Sequence, residues 1–351
     1  MSRRTLASII VACLLLALGG AAALLPVPYV TMSPGPTVNV LGASGSKPVI
    51  DVRGHRTFPT RGDLRLTTVS VTNPDRHIGL GEVLKAWFNR SRAVYPRDVI
   101  YPPNQSVGDV QQQSSVEMVG SQDTAIAAAL TELGYHLPVQ TEVLAVTAGS
   151  PAAGKLRAKD RIEQVDGVAI RKAEQVSTTI QRSGVGRPAS FVVRRGSTTR
   201  RVAITPEASP QDARRAVVGV QIGTGYDFPF DVSVRLGEDI GGPSAGLMFS
   251  LGVYDKLTPG SLTGGNDIAG TGTIDEAGHV GAIGGIQQKI VAARDAGATL
   301  FFVPPADCGS ALHADVRKDE IELVKAPTMH SAVQSLETYA RDKHAHLPAC
   351  G

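Results

Sequence analysis

The segment GGPSAG, residues Gly241–Gly246, decides how this sequence is interpreted, together with the lysine that ends GGIQQK, residues Gly284–Lys289. Ser244 lies in a glycine-rich turn that runs into a helical pattern. Lys289 follows 45 residues later, on a second helical pattern that also begins after a glycine-rich turn. A serine hydroxyl is a poor nucleophile until a base removes its proton, and a neutral lysine amine can act as that base. The pair therefore predicts hydrolysis through a serine nucleophile and a lysine base.

A lysine can serve as the base only where its pKa is lowered, because an unperturbed lysine has a pKa of about 10.4 and is protonated at pH 7. Desolvation disfavours the cation, and a pKa of about 7–8 corresponds to roughly 3–5 kcal/mol, at about 1.36 kcal/mol per pKa unit. Ile286, Ile290 and the nearby glycines offer an apolar setting without a countercharge. We therefore expect Lys289 to be desolvated.

Backbone N–H groups beside the serine are expected to stabilise the oxyanion that forms during acyl transfer. Pro243 has no N–H, so Gly242 and Ser244 are the candidate donors, and the dipole of the following helix favours the same charge. Gly242 also lets the backbone approach a substrate closely.

Two other interpretations of this region stay open. Residues Gly242–Gly246 also fit G-x-S-x-G, the nucleophile elbow of α/β-hydrolases, which needs an acid and then a histidine later in the chain. The residues that would have to fill those roles are Asp295, Asp307, His313 and His330. No local pattern supports them, and no HGGG-type segment precedes the serine. The serine could otherwise be an ordinary first-turn residue and the lysine a solvated surface charge.

Strand and helix patterns alternate through residues 215–345, which is typical of an α/β domain. A strand at Phe230–Val234 precedes the serine loop, and helices are predicted at Ser244–Tyr254 and Ile286–Ala296. Between the helices, Thr273–Ile274 and Val280–Ile283 predict a hairpin.

These motifs, in this order and at this spacing, resemble the proteolytic domain of Lon from about residue 217 to residue 324. The matching segments are Gly242–Gly246, Thr271–Ile274, Val280–Lys289, Ala296–Gly297 and Phe301–Pro304. The resemblance implies a dyad of Ser244 and Lys289, a hydroxyl of Thr271 that orients the amine, and assembly into a homo-oligomeric ring. Lon usually has an acidic residue just before Gly-Pro-Ser, where this chain has Gly241, with Glu238 and Asp239 nearby.

Residues 134–206 form a β-rich pattern with one main helix, predicted at Ala173–Arg182. This order resembles a PDZ domain of the bacterial protease type. The matching segments are Gly149–Ala153, Leu156, Asp160–Ile162 and Val165–Gly167. Lys159 stands where that family usually has glycine.

The PDZ resemblance implies that the module captures peptide C-termini or extended segments by adding them to a sheet edge. The loop that would hold a terminal carboxylate is placed near Gly134 and Tyr135. Together with the N-terminal segment, the whole chain resembles the bacterial membrane-anchored PDZ–Lon-like proteases.

The N-terminus carries Arg3 and Arg4 before Leu6–Leu25, a run of twenty residues without a charge. That length is enough to cross a hydrocarbon core of roughly 30 Å. Positive charge before the run and a long domain after it favour a cytoplasmic N-terminus and an extracytoplasmic body. A cleaved signal peptide is the alternative, with a possible cleavage site near Ala21–Ala23, but the run exceeds the usual apolar length of such signals.

The region between the apolar run and the PDZ-like pattern is of mixed type. Leu64–Val71 predicts a strand, and Ser121 is a candidate N-cap for a helix at Gln122–Leu133. Leu80, Leu84, Trp87 and Phe88 have helical spacing, which predicts that Trp87 is a core residue. Gln111–Gln113 is interpreted as a solvated loop.

Composition excludes some functions. The net charge of +3 is small, basic residues are scattered and aromatic residues are few, so no nucleic-acid groove is expected. No GxxxxGK[ST] loop occurs, so a protease built on this chain would carry no P-loop ATPase of its own. No cysteine and histidine cluster has metal-ligand spacing, and we expect neither a metal nor a cofactor.

Of the three cysteines, Cys13 lies in the apolar run. Cys308 and Cys350 can form a disulfide in an oxidising compartment, or stay as two free thiols. We hypothesise the disulfide.

The sequence thus predicts an α+β multidomain protein. The predicted order is a cytoplasmic tip and transmembrane anchor (1–26), a mixed α/β region (27–133), a PDZ-like domain (134–206), a linker (207–216), a Lon-type proteolytic domain (217–345) and a tail (346–351).

The predicted function is that of an ATP-independent serine endopeptidase at the cell membrane, which acts on extracytoplasmic or membrane-associated proteins. A secreted form would follow if the N-terminal segment were cleaved. The alternative is a peptide-binding adaptor or chaperone with an inactive protease domain, which the presence of both Ser244 and Lys289 disfavours.

Overall fold

The computed structural model describes residues 3–73, 75–101, 107–210, 212–237, 240–317 and 319–351. The elements fall into three consecutive segments of the chain. The first contains α1 (Arg3–Leu24), β1 (Pro26–Val27), β2 (Tyr29–Asn39), β3 (Ala43–Ser44), β4 (Lys47–Pro48), β5 (Ile50–Arg53), β6 (Asp63–Val71), β7 (Ile78–Gly79), α2 (Leu80–Trp87), β8 (Ala93–Pro96), α3 (Arg97–Ile100) and α4 (Val107–Glu132).

The second segment is rich in strands. It contains β9 (Val139–Val146), β10 (Arg161–Val165), β11 (Val168–Ala169), α5 (Ala173–Ser183), β12 (Ala189–Arg195), β13 (Thr198–Ile204), β14 (Glu207–Ala208), β15 (Ala216–Val217) and β16 (Val220–Tyr226).

The third segment alternates strands and helices. It contains β17 (Asp231–Val234), α6 (Gly246–Leu257), β18 (Asp267–Gly270), β19 (Thr273–Ile274), β20 (Val280–Gly281), α7 (Ile286–Asp295), β21 (Leu300–Val303), a 3₁₀ turn (Pro305–Asp307), α8 (Cys308–Ala311), β22 (Glu322–Lys325) and α9 (Met329–Arg341).

One six-stranded sheet joins the first and third segments, in the order β22-β21-β18-β6-β2-β8. The strands β22, β21, β18 and β6 are parallel, whereas β2 runs antiparallel to β6 and β8. The sequence places residues 27–133 and 217–345 in separate domains, and the structure corrects that division. Both regions contribute strands to the same sheet, because β6 pairs directly with β18.

Helices cover this sheet on both faces, as parallel strands require. Leu300 and Phe302 of β21 pack in the cluster that contains α6, while Phe301 and Val303 pack in the cluster that contains α7. All four side chains are 0% exposed. Since successive side chains point to opposite faces of a strand, α6 and α7 lie on opposite sides of the sheet.

The second segment forms its own antiparallel sheet, in the order β13-β12-β10-β9-β16, with a separate core around Val143, Ile162 and Phe191. The last strand, β16, comes from beyond the predicted linker and pairs with β9 over its whole length. The linker region itself contains the short β14–β15 pair. The PDZ-like module therefore extends to Tyr226, later than the predicted end at residue 206.

Helix α4 is longer than the sequence predicts. It begins at Val107, so Ser121 lies inside the helix and is not its N-cap, and Gln111–Gln113 is helical rather than a loop. Its C-terminal half packs in the main core through buried alanines, Ile126 and Leu130. Its contacts with α6, β9, β16 and β17 place it between the two sheets.

Trp87 contradicts its predicted core position. The helix forms as expected, but Trp87 is 71% exposed and Phe88, which follows the helix, is 83% exposed. The buried side chains of α2 are instead Val83 and Ala86. The helical spacing was correct, but the tertiary packing turns a different strip of the helix inward.

Helix α1 has the length and composition to cross a membrane. Residues Arg3–Ala21 of this helix have a mean hydropathy of 2.0, and 0% of this stretch is buried against the rest of the protein. The same properties are found in a signal sequence near an N-terminus.

Candidate active site

Ser244 lies in the short loop that leads into α6, two residues before that helix begins. The loop has little room for side chains. A Cβ atom at Gly246 would meet the Ile274 backbone nitrogen at 3.1 Å, and one at Gly241 would clash with Ser114 Oγ. Gly242 adopts a φ of +86°, which L side chains rarely adopt. These three glycines allow the serine loop to sit directly against β19 and α4.

Lys289 reaches the same point from the other face of the sheet, in the first turn of α7. Its Nζ donates a hydrogen bond to Ser244 Oγ at 2.9 Å and another to Thr271 Oγ1 at 3.1 Å. Thr271 directly follows β18, so the three side chains meet at the carboxyl end of a central strand. The structure therefore brings Ser244, Lys289 and Thr271 together.

Thr271 is held in one orientation. Its Oγ1 donates to the Ser244 carbonyl oxygen at 2.9 Å, and Thr271 is 0% exposed. Because the hydroxyl proton is committed to that carbonyl, the oxygen is left to accept from Lys289. The Gly272 N–H donates to the same carbonyl at 2.9 Å, which fixes the backbone of the serine loop.

Lys289 is 3% exposed, and this burial lowers its pKa to about 8, because a cation is poorly solvated there. The charge of Asp307 opposes the effect by favouring the protonated amine. The Asp307 carboxylate also accepts the Ile283 N–H at 3.0 Å. Neutral Lys289 is thus accessible near neutral pH.

The two candidate oxyanion donors differ. The Gly242 N–H donates to the Ser114 carbonyl at 3.2 Å, so it is already engaged by α4. No described residue accepts from the Ser244 N–H. Of the two backbone N–H groups, that of Ser244 is therefore the one that no described residue engages. Gly241 stands where Lon usually has an acidic residue. The nearest acidic residues, Glu238 and Asp239, lie outside the described residues.

Helix α4 holds the serine loop through two contacts that no local sequence signal indicates. Ser121 Oγ donates to the Pro243 carbonyl at 2.9 Å, in addition to the Ser114 contact with Gly242. Ser121 is only 9% exposed. These residues precede Pro243 by more than a hundred positions, so their proximity depends on the tertiary fold.

A cleft of about 400 Å³ opens beside the dyad. Ser244 and Lys289 line it, together with Ile240 and Gly241 from the serine loop. Its other wall is Pro36 of β2 and residues 68–71 of β6. The N-terminal region therefore forms part of the wall that a substrate would meet.

Gly134 and Tyr135, the predicted peptide-binding residues, lie between α4 and β9. Tyr135 donates from its hydroxyl toward His55 Nε2 at 3.2 Å and packs edge-on against Phe230, and it is partly buried against the core of the large sheet. Gly134 follows the end of α4 at Glu132. Neither Gly134 nor Tyr135 lines the cavity beside α5, the helix of the PDZ-like module.

A groove of about 170 Å³ does lie beside that helix. It is lined by Ile180 and Gln181 of α5 and by residues 215–220, which lead into β16. Gln181 makes two hydrogen bonds to the backbone of Ala216, at 2.7 and 3.0 Å. The strand that faces α5 thus comes from the C-terminal end of the module.

Cys308 and Cys350 are joined by a disulfide bond, and Cys13 is a free, exposed thiol. The bond ties the C-terminal tail to α8. Within the described ranges, no group of three or more histidine, cysteine, aspartate or glutamate side chains is arranged to hold a metal ion.

Residues 238–336 match the family model of the Lon protease (S16) C-terminal proteolytic domain, and residues 142–195 match a PDZ domain model. The Lon protease of Clostridioides difficile strain 630 is 43% identical over 63 residues, which are 18% of this chain and 8% of that protein. The chain thus spans a small fraction of that relative's length.

Solved PDZ domains of SdrC-like proteins from Listeria monocytogenes and Listeria innocua are 23% and 24% identical to this chain. Each covers 24% of this chain, and 86% and 92% of its own, with a TM-score of 0.22. The family matches confirm the fold class and the resemblance that the motifs predict: behind an apolar N-terminal helix, the chain carries a PDZ domain and a C-terminal Lon-type proteolytic domain, which is a serine peptidase domain.

Proposed function

We propose that this chain is a membrane-anchored, ATP-independent serine endopeptidase in which Ser244 is the nucleophile and Lys289 the general base. The observation that carries the proposal is the 2.9 Å contact between Lys289 Nζ and Ser244 Oγ, made by a lysine that is almost fully buried. A solvated surface lysine would have neither the contact nor the lowered pKa.

In the proposed mechanism, neutral Lys289 keeps one N–H on Thr271 and turns its lone pair to the Ser244 hydroxyl. As Lys289 takes the proton, Oγ attacks the peptide carbonyl carbon and forms a tetrahedral intermediate. The Ser244 N–H and the N-terminal end of α6 stabilise its oxyanion. The lysine then protonates the leaving amine, and a water molecule that Lys289 deprotonates releases the acyl group.

The rest of the chain supports a role outside the cytoplasm. A disulfide between Cys308 and Cys350 suits an oxidising compartment, where an α1 that spans the membrane would place the body. We propose that substrates are extracytoplasmic or membrane-associated proteins, recruited or gated by a peptide in the groove beside α5. Assembly into a homo-oligomeric ring remains part of the proposal through the likeness to Lon.

The test is cleavage of an unfolded protein by the purified full chain, with and without ATP and Mg²⁺. Ser244→Ala and Lys289→Met are each expected to lower kcat/KM on the order of 10³-fold or more, because both belong to one catalytic unit. Ser310→Ala and Lys325→Met are the matched controls, since both side chains are exposed, and they should retain activity. Equal cleavage by wild type and Ser244→Ala, or peptide binding without any cleavage, would favour the adaptor.

The pH dependence of kcat/KM should also follow the protonation state of Lys289. With a pKa of about 8, only about one-tenth of the enzyme has a neutral Lys289 at pH 7. The base is active when deprotonated, so kcat/KM is expected to rise about tenfold per pH unit below 8 and to level off above it. A flat profile from pH 6 to pH 9 would contradict the assignment of Lys289.

A further inference from the structure

An apolar stripe on α2 is left uncovered by the rest of the fold. Leu84, Trp87 and Phe88 are 50%, 71% and 83% exposed. Their spacing of three and four residues puts them on one face of the helix, whereas the buried side chains of α2 are Val83 and Ala86. Large exposed apolar side chains that are contiguous mark an interaction surface rather than a core.

This stripe lies at the end of α1. The Leu80 N–H donates to the Leu25 carbonyl at 3.0 Å, and β1 pairs with β7 just before α2 begins. A Cβ atom at Gly81 would lie 3.2 Å from Ala23 Cβ. The first turn of α2 is therefore packed directly on the last turn of α1.

The length of α1 indicates where the apolar stripe would lie relative to the surface of a membrane. Its 22 residues rise about 33 Å, which matches a hydrocarbon core of roughly 30 Å. If α1 spans a bilayer, Leu24 and Leu25 reach its surface, and α2 begins at that same level. Tryptophan is enriched at this level, because its ring is apolar and its N–H is polar.

Cationic side chains accompany the stripe. Lys85, Arg90 and Arg92 are exposed and form no ion pair with any residue that the structure describes. The nearest acid on α2, Glu82, is already paired with Arg76 at 3.0 Å. Free cations beside exposed apolar side chains suit a lipid surface with anionic headgroups.

We propose that α2 is an interfacial membrane-binding helix: Leu84, Trp87 and Phe88 insert into the headgroup boundary of the bilayer that α1 crosses, while Lys85 and the following arginines face anionic lipid. The proposal rests on the membrane anchoring proposed above. A single spanning helix lets the body swivel, whereas a second contact fixes its orientation.

The orientation matters for the active site, because β2 begins at the anchored end and reaches the cleft at Pro36. The eight residues from Tyr29 to Pro36 span roughly 23 Å of extended strand. With α2 on the membrane, the cleft is held at a constant height above the bilayer, and that distance is the upper limit of the height.

Trp87 is the chain's single tryptophan, so its fluorescence reports on the stripe directly. The full chain is reconstituted in phosphatidylcholine–phosphatidylglycerol vesicles, with lipids brominated near the headgroup end of the acyl chains or left unlabelled. Emission at short wavelength, quenching by the brominated lipid and weak quenching by aqueous acrylamide are expected. The proposal would be overturned if Trp87 emitted at the wavelength of a tryptophan in water, was quenched strongly by acrylamide and was not quenched by brominated lipid.

Matched variants separate insertion from mere proximity to α1. Leu84→Ser and Phe88→Ser are expected to reduce bromine quenching at least twofold, whereas Val185→Ser, an exposed apolar residue in a loop of the PDZ domain, should leave it unchanged. A Trp87 that is shielded from acrylamide but not quenched by brominated lipid would indicate a protein partner or a second copy, and would overturn the proposal.

Flotation of the vesicles after alkaline carbonate separates this proposal from the anchoring of α1. A chain that floats but shows no quenching leaves α1 as an anchor and overturns only the role of α2. A chain that does not float overturns both. Omission of phosphatidylglycerol should weaken quenching more in wild type than in an Arg90→Gln, Arg92→Gln double variant, which keeps only Lys85, and equal quenching of wild type in both lipids would overturn the role of the cations.

Discussion

Lys289 and Asp255 are both ionisable side chains in the main domain whose pKa is moved toward neutrality by burial, but they differ in their partners. Lys289 contacts Ser244 and Thr271, so its loss of charge has a chemical use in the proposed mechanism. Asp255 is 0% exposed and accepts the Leu262 N–H through Oδ1 at 2.7 Å. Its Oδ2 has no hydrogen-bond partner among the described residues.

Asp255 is expected to cost stability at neutral pH. Burial raises its pKa to about 6, against the opposing effects of the Leu262 N–H and the charge of Lys256. Since the folded-state pKa lies above the unfolded value of about 3.9, the penalty is fully present above pH 6 and vanishes below about pH 4. Asp255→Asn keeps a carbonyl for Leu262 and is expected to increase the free energy of unfolding at pH 8, by up to about 3 kcal/mol.

Urea unfolding at several pH values checks this prediction. The difference between Asp255→Asn and wild type should shrink as the pH falls from 7 to 4. The control is Asp231→Asn, because Asp231 is exposed. A difference that does not change with pH would contradict a charged, desolvated carboxylate at position 255.

At the scale of elements, α4 connects the PDZ domain with the serine loop. Asp123 of this helix pairs with Lys159, the residue that stands where PDZ domains usually have glycine and that keeps a φ of +71°. Two residues earlier, Ser121 bonds the Pro243 carbonyl. One helix thus contacts both the PDZ domain and the residue before the candidate nucleophile.

Ser121→Ala is expected to lower kcat about three- to tenfold while KM changes little, because one hydrogen bond of about 1 kcal/mol that positions the serine loop is lost. The midpoint of the pH profile should stay near 8, since Lys289 is untouched. Thr131→Ala, which removes an exposed hydroxyl from the same helix, is the control. A shifted midpoint, or a purely KM effect, would contradict a positioning role for Ser121.

At the scale of the whole molecule, the PDZ domain is inserted between two parts of the catalytic unit. The strands β2, β6 and β8 precede it, and β18, β21 and β22 follow it, yet all six share one sheet. Formation of this sheet requires contacts between residues about two hundred positions apart, such as Leu64 and Ile268. The C-terminal disulfide then ties the tail of the chain back onto the catalytic unit.

Loss of the disulfide is expected to destabilise that unit. A loop of 42 residues corresponds to about 4 kcal/mol of chain entropy in the unfolded state, so Cys350→Ser should lower the free energy of unfolding by about 2–4 kcal/mol. Denaturant unfolding of Cys350→Ser, of the Cys308→Ser, Cys350→Ser double variant and of reduced wild type should give similar values. Wild type whose stability is unaffected by reductant would contradict the bond.

Local signals predicted much of the site. The glycine-rich turns before Ser244 and Lys289, the hairpin at Thr273–Ile274 and the helix at Ile286 depend on backbone preferences and apolar spacing within a few residues, and the structure has these elements. The roles of Ser244, Lys289 and Thr271 stay predictions, although the structure places them within hydrogen-bond distance.

The sequence by itself determined the order of motifs, the apolar N-terminal helix and the two family resemblances, because each is written in short-range residue patterns. Only the tertiary structure decided that β6 joins β18, that β16 completes the PDZ domain, that α4 holds the serine loop and that Trp87 faces outward. Strand pairing between distant segments leaves no periodic trace in the sequence. Likewise, the helical spacing of Trp87 shows that a face exists, but which face is buried depends on what packs against it.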